Sequence, residues 1–303
     1  MTLSGSRQTT LRQAVRMRGV GYWSGRDVTV EFRPAPADAG RAFIRADSNP
    51  ATRILVHVAH QRPAALRTNL SSGGMNVAMV EHLLAAVSGL GIDNCDIVVD
   101  AEEMPGFDGS CRDMVQALLA GGIVELEAER HPLVIRRTVR VGDAENWLEA
   151  SPARADYVEW EYHLDYGAGH LLGRQSYRWS GVPEELAVAF TREIAPARTF
   201  LMQEDAQRLR DQGLGGHVTS RDLLILGPDG PLENQWRFPN ECARHKLLDL
   251  MGDMALLGCA IQGRIVAHRS GHRLNADLVR AIMATHDIPL AVETSDRRPR
   301  RAA

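Results

Sequence analysis

The chain has 303 residues, room for two packed domains at roughly 150 residues each. With 44% hydrophobic and 24% charged residues it has the composition of a folded soluble protein, which excludes a disordered, fibrous or disulfide-stapled chain. Thirty-five basic residues against 38 acidic ones leave a net charge of −3, too balanced for nucleic-acid binding through bulk electrostatics.

The first 18 residues carry Arg7, Arg12, Arg16 and Arg18 without the apolar run of a signal peptide, and nowhere do about 18 apolar residues follow one another to span a bilayer. Val28 to Arg33 alternates sides and stops at Pro34, as an antiparallel strand does. Asn76 can cap a helix running to Ser88, with Val77, Val80, Leu83, Leu84 and Val87 on one face and Gly89 and Gly91 past its end. A buried strand follows over Asp93 to Asp100. A second helix over Ser110 to Leu119 ends at Gly121-Gly122.

The charged, proline-closed stretch Glu125 to Pro132 marks a domain boundary, giving residues 1–130 and 131–290. Residues 291–303, with Arg297, Arg298, Arg300 and Arg301, are expected as a disordered basic tail. Beyond the boundary, Leu133 to Val141, Trp147 to Ala150 and Tyr157 to Asp165 read as strands, and Gln203 to Gln212 as a short helix. The last third then repeats the scheme of the first, with a helix from Asn240 to Leu257, a strand from Gly263 to His268 and a helix from Asn275 to Thr285. The fold expected is α+β, in two similar domains. Cys95, Cys111, Cys242 and Cys259 form no Cys-x-x-Cys pair and read as reduced thiols of a cytoplasmic protein.

Three sites could carry chemistry. On a helix His245, Asp249 and Asp253 stand at i, i+4 and i+8 on one face, so that a histidine and a carboxylate one turn apart can converge on a metal ion. Alone, the same pattern fits a solvated face with an ordinary His–Asp pair. Glu81 and His82 point about 100° apart, so both serve one site only if His82 binds a metal while Glu81 holds the metal's water; a core histidine beside a surface glutamate is the alternative. His272 follows a strand end, where side chains enter clefts or simply face solvent. Together, two histidines and an aspartate make a three-ligand set with an open position, a glutamate supplies a base, and a further histidine supplies a cationic acid.

Val80-Glu81-His82-Leu83-Leu84-Ala85-Ala86, Gly89-Leu90-Gly91-Ile92-Asp93-Asn94, Phe107-Asp108-Gly109-Ser110, Ala197-Arg198-Thr199-Phe200, Arg244-His245-Lys246-Leu247-Leu248-Asp249 with Gly252-Asp253, and Ser270-Gly271-His272 occur in this order. The series resembles the zinc-dependent UDP-3-O-acyl-N-acetylglucosamine deacetylases of lipid A synthesis, from about Gln8 to Ala284. The resemblance implies two layered halves with the site between them, a nucleotide-sugar lipid as substrate, and a monomer that needs no nucleic acid. It implies zinc on His82, His245 and Asp249, a donor set that suits iron as well. Glu81 is then the general base, His272 the cationic partner of the tetrahedral intermediate and Thr199 an oxyanion donor. Lys246 and Asp253 set charge and orientation, and Phe200 and Lys246 meet the substrate.

Several positions depart from the family's pattern. Tyr22-Trp23 stands where the family usually shows Leu-His, Ala78-Met79 replaces Ser-Thr, and Leu201 follows Phe200 without the usual glycine. Gly215 to Asp222 lacks the usual Gly-Gly-Ser and Asp-Asn-Ala pattern, and Asn146 replaces a lysine near the nucleotide phosphates. Removal of acetate from another N-acetylated sugar, or a non-catalytic zinc-containing paralogue, are the alternatives these changes admit. Retention of Glu81 and His272 speaks against the second, because a structural zinc needs neither.

Overall fold

A computed structural model describes residues 7–48, 52–154 and 157–289; the expected basic tail, 291–303, lies outside them. Its helices are α1 (Glu81–Gly89), α2 (Arg112–Gly121), α3 (Pro183–Ala189), α4 (Gln203–Asp211), α5 (Glu241–Met254) and α6 (His272–Thr285).

The repeat read from the sequence is a repeat of topology. In the first half a five-stranded sheet has the spatial order Val15–Val20, Asp27–Pro34, Cys95–Val99, Arg41–Arg45 and Thr52–Leu55. Its last strand in sequence, Cys95–Val99, enters the middle, antiparallel to Asp27–Pro34 and parallel to Arg41–Arg45. In the second half the order is Val139–Gly142, Trp147–Ser151, Arg264–His268, Val158–Asp165 and Arg174–Gly181. There Arg264–His268 is again the inserted last strand, antiparallel to one neighbour and parallel to the other. In each half the inserted strand stands between two core helices in sequence: α1 and α2, then α5 and α6. Alternation explains the single solvated faces: Val28, Val30 and Phe32 point into the core while Thr29, Glu31 and Arg33 point away. By contrast α1 is buried nearly all round, as expected of a helix enclosed on every side.

Each half also carries an insertion between its fourth strand and its first main helix. In the first it is the antiparallel set Gln61–Arg62, Asn69–Ser72 and Met75–Ala78. In the second, Phe200–Met202 and Leu224–Gly227 pair in parallel through α4, over a small apolar cluster of Ala206, Leu223 and Ile225. The charged stretch after α2 forms the strand Ile123–Glu129, paired with Arg7–Leu11.

Three elements begin or break elsewhere than their local pattern predicts. Helix α1 starts at Glu81, because Asn76 lies in a hairpin strand opposite Ser71, closed by Gly73 and Gly74 at positive φ. Helix α6 starts at His272, since the Asn275 side chain is spent on Asp253 and does not cap. The strand expected over Leu133 to Val141 is two pieces, Leu133–Val134 and Val139–Gly142, which pair with different partners.

Candidate active site

A cleft of about 530 Å³ lies between the two insertions and the N-terminal turn of α1, with Glu81, His82, Thr199, Phe200, Lys246, Asp249 and His272 on its walls. The chain reaches α1 by a sharp turn at Met79, whose φ is +60°. That turn makes Glu81 the first helical residue, where the α1 dipole favours a carboxylate.

His82, His245 and Asp249, the set the family resemblance implies, come together with one ligand atom from each lying within 4.8 Å of the others, all three buried. Asp249 Oδ1 is 3.3 Å from His245 Nε2 and 3.6 Å from His82 Nε2, and the imidazoles meet edge to face with centroids 5.1 Å apart. His245 Nδ1 donates to the Ala197 carbonyl at 3.1 Å, which fixes the tautomer and leaves Nε2 as an acceptor. This Nε2 is buried without a hydrogen-bond partner, as is His82 Nδ1. An orphaned buried nitrogen is costly, and a cation between His245 Nε2, His82 Nε2 and Asp249 Oδ1 would satisfy the first of these. Burial pushes His245 down to about 3, so it is neutral, as a ligand must be. Burial alone would raise Asp249, but the Lys246 ammonium, 2.8 Å from Oδ2, and the imidazoles hold it well below the usual carboxylate range. Oδ1 is thereby left to face the histidines. The residues present fit a metal ion.

Across the site the acid–base groups share one buried network. Glu81 Oε2 accepts from the Thr68 N–H at 2.9 Å, and the Thr68 hydroxyl donates to Asp253 Oδ1 at 2.6 Å. Asp253 Oδ2 accepts from His272 Nδ1 and Asn275 Nδ2, both at 2.8 Å. Asp253 is fully buried behind His272, and it does not line the cleft. Burial raises the Glu81 carboxyl, an effect partly offset by His272 and His82. For His272 burial works downward, yet the Asp253 charge and hydrogen bond outweigh it and lift the imidazole to about 9. The pair is thus a carboxyl able to accept a proton opposite an imidazolium able to give one, the separation of acid and base that environment creates.

Thr199 and Phe200 reach the cleft through a buried ion pair. The Arg198 guanidinium meets the Glu241 carboxylate of the first turn of α5 at 2.8 and 3.1 Å and also holds Asn234 and the Gln235 carbonyl. Thr199 N–H donates to the Gly109 carbonyl at 2.8 Å; at Gly109, φ +83°, a Cβ would come within 3.0 Å of the Asp222 carbonyl oxygen. Ala206, Leu209, Leu214, Val218 and Ile225 give the cleft apolar wall. Of the departing positions, Tyr22, Trp23, Met79, Asn146, Leu201, Gly215 and Val218 line the cleft. Trp23 lies under the Arg67 guanidinium at 5.2 Å, and Tyr22 Oη donates to backbone carbonyls of Gly106 and Asp222. Thr68, Asn275, Arg198 and Glu241 are the supporting residues that sequence reasoning did not assign a role; Arg198 lay inside a quoted motif, while Thr68 carried no local signal.

A carboxylate poised to take a proton beside a place for a cation is the arrangement of metal-assisted hydrolases. The chain belongs to the UDP-3-O-acyl N-acetylglycosamine deacetylase (LpxC) family, whose model matches residues 8–284. It is 37% identical over 287 residues to the UDP-3-O-acyl-N-acetylglucosamine deacetylase of Shewanella sp. (strain ANA-3), covering 92% of this chain and 90% of that one. The proteins of that name from Shewanella oneidensis and Shewanella baltica (strain OS155) are 36% identical over the same shares.

Proposed function

We propose that the protein is a zinc-dependent deacetylase that hydrolyses the acetamide of UDP-3-O-acyl-N-acetylglucosamine to the free amine and acetate, in lipid A biosynthesis. The observation that carries this reading is the meeting of Glu81 with the His82, His245 and Asp249 donors at a cleft that also has apolar walls. Those apolar walls suit an acyl chain, and the polar groups suit the acetamide.

His82 and Asp249 Oδ1 would hold the zinc together with His245 Nε2. When bound, zinc lowers the pKa of its water to about 7 and polarises the acetamide carbonyl. Glu81, held by Thr68, takes the proton of the attacking water. The imidazolium of His272 and the Thr199 hydroxyl face the carbonyl oxygen as it becomes negative. The water oxygen ends in acetate, the C–N bond breaks, and the nitrogen leaves as the amine once a proton has returned to it. Lys246 keeps Asp249 ionised, and Phe200, edge to face with Tyr166 at 6.5 Å, forms part of the substrate wall.

Four free thiols, three of them buried, suit the reducing cytoplasm we propose for the protein. The test is stoichiometric release of acetate and amine from UDP-3-O-acyl-N-acetylglucosamine, abolished by a chelator and restored by zinc. Chelator-insensitive release, or none by protein containing one zinc per chain, overturns the proposal.

A further inference from the structure

A second cavity, of about 270 Å³, lies between the two halves beside the C-terminal ends of α1 and α5, the ends away from Glu81 and His245. Its walls are mainly apolar and include Ile92, Val158, Leu186, Met251 and Met254. Two polar side chains on this wall lack what burial normally requires. Arg41 is 7% exposed, and among the described residues its one hydrogen bond is Nη1 to Ser88 Oγ at 2.6 Å, with Nε buried and unpartnered. Trp160 is 4% exposed, and its indole N–H has no acceptor.

A buried guanidinium without a carboxylate is expensive. Nearby acids do not supply one. Asp93 acts on Arg41 by its charge without a hydrogen bond between them, its Oδ2 being taken by Arg130 Nε and Nη2 at 2.9 and 2.7 Å and by the Thr9 N–H at 2.8 Å. Glu184, on the first turn of α3, is exposed. The C-terminal turn of α1 offers Arg41 partial negative charge but no carbonyl within hydrogen-bond reach. Burial draws the Arg41 guanidinium below its ordinary value, an effect that the Asp93 charge offsets only in part.

We propose that this cavity is a second ligand site that takes a small aliphatic carboxylate, its charged end on Arg41 and its chain along Leu186, Met251 and Met254. A guanidinium recognises a carboxylate by charge-assisted hydrogen bonds, and the unbranched thioethers of two methionines adapt to a flexible chain. This site is distinct from the catalytic cleft and does not rest on the reaction assigned there.

Cys259 lines the same cavity and is partly exposed, whereas Cys95, Cys111 and Cys242 are buried, so alkylation of Cys259 reports on this place alone. Octanoate should slow the reaction of Cys259 with N-ethylmaleimide saturably in the zinc-loaded full chain. Octanol, with the same chain and no charge, should bind at least about tenfold more weakly. Arg41→Met should remove the protection and weaken calorimetric binding of octanoate by a similar factor. Unchanged labelling together with no octanoate binding that depends on Arg41, or equal protection by octanol, overturns the proposal. If Arg41→Met does not fold, the comparison of octanoate with octanol on the unaltered protein decides the matter.

Discussion

Gly252 of α5 faces the backbone carbonyl of Glu81 on α1 so closely that a Cβ at position 252 would lie 2.1 Å from that oxygen. Two core helices therefore touch backbone to backbone at the residue proposed as the base, one turn from Asp249. Because the obstacle is main chain, no side chain can swing aside. Gly252→Ala should push α1 and α5 apart, cost about 1–3 kcal/mol of stability and reduce turnover by more than it reduces zinc content. Chemical denaturation and kinetics on metal-matched samples check this, and unchanged kcat would contradict it.

The Asp253–His272 pair sets the alkaline side of the pH profile. His272 is raised from 6.5 to about 9, so its stabilising charge is fully present below pH 6.5 and is lost as pH rises through about 9. Activity that needs the imidazolium should fall over the same range. In Asp253→Asn the charge that outweighs burial is gone, so the alkaline limb should move to lower pH, with kcat/KM at pH 8 down by about tenfold or more. On the acid side Glu81 must lose its proton, and its burial places that limb above the ordinary carboxylate value of 4.5. A pH series of kcat/KM for both proteins measures each limb.

Thr68 holds Glu81 through its N–H and Asp253 through its hydroxyl. Thr68→Val keeps the first contact and removes the second, leaving a buried carboxylate oxygen without its donor. A stability loss of about 1–3 kcal/mol is expected, with rescue by Thr68→Ser. Equal effects of Val and Ser would show that shape, and not the hydroxyl, matters at this position.

The donor set makes a separate claim about metal. His245→Ala should lose zinc, while Lys246→Met should keep the donors but free Asp249 Oδ2 of its ammonium and weaken retention. Metal analysis after dialysis reads both, and full zinc in His245→Ala contradicts the assignment.

What the sequence disclosed follows from the range of the interactions involved. His245 and Asp249 are one helical turn apart, so periodicity alone put them on one face, and the β-β-β-β-α-β-α repeat left two matching helix–strand–helix passages to read. The start of α1 was misread because Asn76 and Val77 obey helical spacing locally, whereas the Ser71–Asn76 pairing and the Gly73-Gly74 turn place them in a strand. Thr68 reaches Asp253 across 185 positions, and Arg198 meets Glu241 across 43; no local pattern encodes such contacts. The motifs pointed to Thr199 as a site residue, but not to the buried ion pair of Arg198 and Glu241 beside it.

The central claim is that Glu81 takes the proton of the attacking water. Its most direct test is acetate release from UDP-3-O-acyl-N-acetylglucosamine by wild-type protein and by Glu81→Gln, each carrying one zinc per chain. The account predicts release by the wild type and a loss of about 10²–10⁴-fold in kcat for Glu81→Gln with its zinc retained. Equal turnover by the two zinc-loaded proteins would contradict it.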